Sequence, residues 1–294
     1  LLVTTNTPRV THYLVRAAIF KKPLVKKFLA TLNLMPIYRI RDGVKELSKN
    51  AEIFNDCFEI LNNQNALMIF PEGSHDRRRT IRPISKGFTR ILFGALDKYP
   101  DLNVQIVPVG VTYQNSSQFP CKVAIHYGKP IKANLLYNPS ELNTSVNLIK
   151  EAVSNQLKEL SVHIPLDDNY EKTLQNLNNS EIDFTEVKDV NAMINTGNVF
   201  ALITPFNFGV LFKYLFVINS MIPWLIWKII SKKVDEIEFK DTFRFGLGVV
   251  LFPLFYLIQT YIVSLFYGGK IAGIYFIASL LITLAYSKLS STPT

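Results

Sequence analysis

Leu67-Met68-Ile69-Phe70-Pro71-Glu72-Gly73-Ser74-His75-Asp76-Arg77 is the stretch around which the rest of this chain organises. Residues 66–70 read as a compact buried strand. Pro71 has no N–H to donate to a ladder and stops it, and Glu72-Gly73 opens a turn. Polar groups thus collect beyond the carboxyl end of a strand, where α/β sheets present their ligand sites. Arg78, Arg79 and Arg82 follow, and then Lys86-Gly87 at the start of a helical pattern. Guanidinium groups and unpaired helix N–H groups therefore gather where an anion could sit. On charge alone such a run is a solvated loop; its attachment to a strand end favours a site.

The flanks predict the sheet. Upstream, residues 11–16 read as a strand, 24–32 as a helix behind Pro23, 35–40 as a strand, and 44–61 as an amphipathic helix with Phe54, Cys57, Phe58 and Leu61 on one face. Downstream, Phe88, Ile91, Leu92, Ala95 and Leu96 mark a helix, 104–113 and 122–127 two strands, and 142–160 a further helix. Strands alternating with helices predict an α/β fold, a sheet flanked by helices. Pro108 inside a strand pattern implies an edge or a bulge.

Charge is uneven: residues 1–90 hold 16 Lys/Arg against 7 Asp/Glu, and residues 91–198 hold 8 against 12. A basic first part suits phosphorylated substrates or anionic headgroups. Nucleic acid is disfavoured as a partner, because no nucleic-acid motif accompanies the charge. Cys57 and Cys121 lack CxxC spacing, which argues against a disulfide framework or thiolate metal site and makes both core residues. The histidines at 12, 75, 126 and 163 lack metal-ligand spacing, so neither metal nor cofactor is expected. His12, in a strand without a carboxylate partner, reads as structural.

After an Asn-rich polar stretch, 166–197, taken as a linker, the chain turns apolar. Residues 243–266 reach the ~20 residues that a bilayer-spanning helix needs. Residues 271–286 make a shorter partner behind Gly268-Gly269-Lys270. The stretch 199–230, with Lys213, Lys228, Pro205 and Pro223 inside it, fits one tilted helix or two short segments turning near Lys213. Lys228, Lys232, Lys233, Lys240 and Arg244 place their loop in the cytoplasm by the positive-inside rule, and a hairpin at 199–230 would keep the preceding domain on the same face. A transporter is disfavoured, since Lys213 has no acidic partner in the apolar region.

Phe70-Pro71-Glu72-Gly73 resembles the signature of the phospholipid/glycerol acyltransferase family, which includes glycerol-3-phosphate and 1-acylglycerol-3-phosphate acyltransferases. Pro36-Ile37-Tyr38-Arg39 is similar to its second block, which ends in a substrate-contacting arginine, and Ile106-Val107-Pro108-Val109-Gly110 to its fourth. Lys86-Gly87 matches a pair that commonly follows the third. The resemblance covers residues 1 to about 114 and implies transfer of a fatty acyl group from acyl-CoA or acyl-carrier protein, a co-substrate rather than a cofactor, to glycerol-3-phosphate. Alternatives are a lysophosphatidate acceptor, or a non-catalytic phospholipid-binding membrane protein.

The resemblance also implies a catalytic His, followed after four residues by Asp, ahead of Leu1, and none of the four histidines in view is read as replacing it. The substrate-binding residues it implies are Arg39, Glu72, Gly73, Ser74, His75, Arg77 and Lys86. Where the family usually continues Thr-Arg, this chain has Ser74-His75-Asp76-Arg77, similar to the subgroup acting on glycerol-3-phosphate or dihydroxyacetone phosphate. Arg77 is then the candidate for the usual arginine and His75 the alternative. The expected organisation is an acyltransferase domain over 1–114, the rest of the α/β domain over 115–165, a linker over 166–197 and membrane helices over 198–290.

Overall fold

The computed structural model describes residues 2–7, 9–39, 43–73, 76–199, 209–234 and 240–290. They form two compact units, residues 1–110 with 125–163, and residues 111–124 with 164–294.

The first unit opens with a single turn, α1 (Leu2–Thr5), and is built on a three-stranded parallel sheet. Its central strand is β1 (Thr11–Arg16). On one side β2 (Leu34–Ile37) pairs from Tyr13↔Leu34 to Arg16↔Ile37; on the other β3 (Ala66–Met68) pairs from Thr11↔Ala66 to Tyr13↔Met68. Parallel pairing requires crossovers. One is α2 (Pro23–Thr31), opened by Pro23 in its first turn, where a missing N–H costs nothing. The other is α3 (Asn50–Asn62), entered through a 3-10 turn at Val44–Lys49, so the helix expected over 44–61 is α-helical only from Asn50. Because the strands run the same way, the segments leaving β2 at Tyr38 and β3 at Ile69 emerge from one edge of the sheet. Continuing the register by three residues sets Pro71 level with Arg16 and Ile37.

The chain continues with α4 (Gly87–Lys98), β4 (Gln105–Ile106), β5 (Val109–Tyr113), β6 (Val123–Tyr127), β7 (Ile131–Lys132) and α5 (Leu142–Leu160), of which α4, β4, β7 and α5 lie wholly in the first unit. The strand expected over 104–113 is therefore two. Pro108 divides it: β4 pairs antiparallel with β7, while β5 is hydrogen-bonded to β6 in a separate two-stranded sheet. Pro108 has no N–H for a ladder, but its carbonyl accepts from Gly128 N–H at 2.8 Å. Leu14, Ile53, Cys57 and Ile91 form one buried cluster against the parallel sheet. Leu92, Phe93 and Leu96 join Ile84, Val104, Ala133, Ile149, Val153 and Leu157 in a second. α4 thus serves both cores, each large apolar side chain contributing roughly 1.5–3 kcal/mol by leaving water. Its close approach to α3 depends on Gly94, where an added Cβ would lie 2.4 Å from Phe58 Cζ.

In the second unit, the segment expected as a polar linker holds two helices, α6 (Tyr170–Asn179) and α7 (Val187–Thr196). Tyr170, Leu177, Ile182, Phe184, Val187, Val190 and Met193 are all buried there. Asn and Asp dilute these apolar residues, so composition hid the spacing of three and four that buries them. The buried Gln114 donates to Ile182 O at 2.8 Å and accepts from Phe184 N–H at 2.6 Å.

Next come α8 (Gly209–Asn219) and α9 (Met221–Ile230), bent by 90° at Ser220. The turn expected near Lys213 is not there: Lys213 lies within α8, its side chain exposed. Residues 200–208, part of the same apolar stretch, lie outside the described residues. α10 (Lys240–Leu289) contains one non-helical residue, Gly268, at φ 79°. Tyr256 and Thr283, whose hydroxyls are 2.8 Å apart, would be about 40 Å apart on a straight helix at 1.5 Å per residue, so α10 folds back at Gly268. The Tyr256 hydroxyl, buried, also lies 2.6 Å from Ser220 Oγ, so one group ties the α8–α9 bend to both arms of α10. Among the described residues α10 is the helix long and apolar enough to cross a membrane; α8 and α9 meet that test only as a bent pair.

Candidate active site

The site is built where β2 and β3 end. The buried Asn50, first residue of α3, accepts from Tyr38 N–H at 3.0 Å and donates to Tyr38 O at 2.8 Å. Tyr38 is thereby fixed although the strand has ended, and the direction in which Arg39 leaves is fixed with it. Arg39 Nη1 donates to Gly73 O at 3.1 Å, joining the two strand ends. Gly73 reaches that position through a turn closed by its own N–H on Phe70 O at 3.3 Å, with φ +70°, a conformation that costs a side chain about 1–2 kcal/mol. Ser85 N–H donates to Pro71 O at 3.0 Å and closes the arginine loop at its far end.

Inside that loop Glu72 Oε2 accepts from Arg82 Nε at 3.0 Å, and the Asp76 carboxylate lies 4.0 Å from the same nitrogen. Asp76 is held mainly by Arg78, whose Nη2 donates at 2.5 Å and whose N–H donates at 2.9 Å. The hydrogen-bonded Arg78 guanidinium keeps the Asp76 carboxyl well below its ordinary range, at about 2. Arg82 is largely enclosed, its side chain 17% exposed, whereas that of Arg78 is 48% exposed. Two carboxylates therefore orient a cluster of guanidinium groups beside the sheet edge, an arrangement suited to a phosphate dianion.

His163, just beyond α5, supports the loop from behind. Its Nδ1 accepts from Ile81 N–H at 3.1 Å and lies 3.2 Å from Thr80 Oγ1. Burial, assisted by Lys158, lowers the imidazole pKa, in keeping with a ring nitrogen that must stay unprotonated to accept. Asp168 follows His163 at the four-residue spacing that the resemblance assigns to the catalytic pair, but Nδ1 is engaged by the loop backbone, so the ring's role here is support. Burial pushes the Cys57 thiol up to about 12, consistent with a core residue and not with a nucleophile.

Of the residues expected at the site, Arg39 and Gly73 are in direct contact, and Glu72 adjoins them through the chain and binds Arg82. Lys86 is exposed at the residue preceding α4, where its carbonyl accepts from Thr89 Oγ1 at 2.8 Å. Arg77 is exposed within the loop, and Glu72 takes Arg82 as a partner. Ser74 and His75 lie outside the described residues. Asn50, Asp76 and His163 join the site without a sequence signal of their own, and Arg82 is marked only as one of a run. The run of arginines signalled Arg82, but nothing local marks Asn50 or His163, which act across the fold. Among the described residues no group of three or more His, Cys, Asp or Glu side chains is arranged to hold a metal ion.

A family model described as Acyltransferase matches residues 1–112. That stretch contains β1 to β3, the paired Glu72 and Arg82, and Arg39, and it bears out the resemblance seen in Phe70-Pro71-Glu72-Gly73. The chain is 30% identical over 115 residues to glycerol-3-phosphate O-acyltransferase 1 of Saccharomyces cerevisiae, covering 37% of this chain and 15% of that protein. Glycerol-3-phosphate O-acyltransferase 2 of the same yeast is 30% identical over 120 residues, covering 40% of this chain and 16% of that protein. An uncharacterized acyltransferase of Schizosaccharomyces pombe is 23% identical over 118 residues, covering 38% and 17%. The matched part of the chain spans about a sixth of the length of these curated relatives. No solved structure matches.

Proposed function

We propose that this chain is a membrane-anchored acyltransferase that holds glycerol-3-phosphate at the carboxyl edge of its parallel sheet and acylates it from an acyl thioester, acyl-CoA or acyl-carrier protein. The observation that carries this is the coupling of two strand ends into one cationic corner. Arg39 leaving β2 binds the backbone of Gly73 beyond β3, while the adjacent Glu72 orients Arg82. Arg39, Arg77, Arg82 and Lys86 would hold the phosphate, with Glu72 fixing an arginine; Ser74 and His75 belong to the same expected set. The partial similarity to two glycerol-3-phosphate O-acyltransferases supports that acceptor over lysophosphatidate.

The reaction forms an ester C–O bond and breaks the thioester C–S bond; the hydroxyl proton leaves through a base and the thiolate departs as thiol. A hydroxyl of high pKa needs that base positioned, and the resemblance assigns it to a His–Asp pair ahead of Leu1. The residues in this chain would perform the other half of the task, fixing the phosphate so that the hydroxyl has one direction to point.

The membrane part of the reading rests on α10, whose two arms are apolar and fold back at Gly268, and on the α8–α9 pair, whose 90° bend suits a re-entrant segment. Lys228, Lys232, Lys233, Lys240 and Arg244 support a cytoplasmic face for the intervening loop and for the acyltransferase domain. The test uses protein from the whole reading frame, reconstituted in vesicles and offered labelled acyl-CoA with each acceptor in turn. Lysophosphatidate made from glycerol-3-phosphate is the expected product. Transfer only to lysophosphatidate moves the assignment to that acceptor, and transfer to neither, with the protein folded, overturns acyl transfer.

A further inference from the structure

α2 does not bury its apolar stripe as a crossover helix ordinarily does. In an α/β unit such a helix lays its apolar stripe on the sheet and its charges in water. Here no residue of α2 is buried, and Leu24 is 83% exposed, Phe28 63% and Leu32, just past its end, 50%. At 100° per residue Leu24, Phe28, Leu32 and Val25 fall within about one hundred degrees of arc, the width of an amphipathic stripe. Ile19, in the 3-10 turn leading into α2, is also exposed. Lys21 and Lys22 precede the helix, Lys26 and Lys27 lie outside the stripe, and all four are exposed. Between Leu1 and Arg41 the chain carries no Asp or Glu.

We infer that α2 is an interfacial helix by which the acyltransferase domain docks on an anionic lipid surface. The charge complementarity is one-sided: exposed ammonium groups flank an apolar stripe, with no carboxylate of their own segment to neutralise them, as in helices that lie in an anionic bilayer interface. Lysine suits that position because its long stem covers apolar surface while its head stays among headgroups. The stripe itself carries no polar atom with which to recognise a protein groove. Reach is provided by the chain itself, an inference that rests on α10 being membrane-inserted as proposed above. α2 begins seven residues after the carboxyl end of β1, the edge at which Arg39 and the arginine loop emerge. Docking would therefore bring the site's own edge of the sheet to the lipid surface.

The test uses the full chain reconstituted in vesicles. With Cys121→Ser removing the accessible thiol, Leu24→Cys and Phe28→Cys are each labelled with an environment-sensitive dye; Lys26→Cys is the control off the stripe. Carbonate-resistant association is measured in parallel and reports α10 independently of α2. In vesicles containing phosphatidylglycerol, brominated acyl chains quench the dye at 24 and 28 and spare it at 26. The variant with Lys21, Lys22, Lys26 and Lys27 all changed to Gln lowers the docked-to-undocked ratio at least about tenfold. Absence of quenching at 24 and 28 in carbonate-resistant protein overturns the inference. So do equal quenching in pure phosphatidylcholine, equal quenching at 26, and a dye shielded without bromine quenching, which would mean that protein covers the stripe.

Discussion

The side chain of Asn50 takes both backbone groups of Tyr38, accepting from its N–H at 3.0 Å and donating to its carbonyl at 2.8 Å. It thus replaces, at the end of β2, the partners that a longer strand would have supplied, and it does so one residue before Arg39. Asn50→Ala leaves two backbone groups unsatisfied in a partly enclosed place, a loss of about 1–3 kcal/mol. Urea unfolding reads that loss. In the active full-length protein the KM for the phosphorylated acceptor rises more than kcat falls, because Arg39 loses its aim and not its charge.

Glu72 and Arg82 form a pair at 3.0 Å with both side chains at most one-third exposed. Their coupling in a double-mutant cycle is expected at about 1 kcal/mol, the upper end for partly exposed ion pairs. Glu72→Gln and Arg82→Met each weaken acceptor binding, and the double variant is little worse than either alone. Additive losses in the acceptor KM would show that the two residues act separately.

His163 carries a pH prediction. Its folded-state pKa lies below the ordinary value of 6.5, through burial and Lys158. Protonation is therefore harder in the folded than in the unfolded protein, so the stabilisation is complete above the unfolded value and is lost as pH falls through that value toward the folded one. Melting temperature is expected to drop on acidification from neutral pH, and His163→Gln, which retains an acceptor, flattens that part of the profile. An unchanged slope in the variant would refute the assignment.

Gly94 and Gly73 are constrained for different reasons, and their alanine variants separate them. Gly94→Ala places a Cβ 2.4 Å from Phe58 Cζ between α3 and α4, an overpacking cost of about 1–3 kcal/mol that Phe58→Leu relieves in part. Gly73→Ala meets nothing within 4 Å but must hold φ +70°. Its cost, about 1–2 kcal/mol, can be relieved only by moving the loop. Thermal melts register both, whereas the acceptor KM changes chiefly in Gly73→Ala, since its carbonyl receives Arg39.

Much of this was legible locally. The helix at 88–96 and the turn at Gly268 follow from residue types whose preferences are short-ranged, a period near 3.6 and a glycine at positive φ, whereas the strand expected to run buried to Phe70 stops at Met68 and leaves Phe70 exposed. The linker expected over 166–197 failed as a linker because Asn-rich composition outweighed sparse apolar residues that meet only once α6 and α7 pack. Of the two sequence readings of 199–230, the one with a turn sets it near Lys213, because a lysine is a visible interruption, whereas the bend lies at Ser220. What sits at the bend is a serine whose hydroxyl lies beside that of Tyr256, thirty-six positions away.

By itself the sequence determined most of the strands and helices on either side of Pro71, the basic character of the first ninety residues, the chemistry gathered after Phe70 and the family that this chemistry resembles. Each depends on neighbours in the chain. Tertiary structure alone decided that Glu72 takes Arg82, that Arg39 reaches Gly73, that Asn50 and His163 hold the two halves of the site, and that the apolar side of α2 faces outward. Hydrogen bonds act over about 3 Å. Which groups come that close is set by how the parallel strands and their crossovers pack, a property of the folded chain that local residue preferences do not encode.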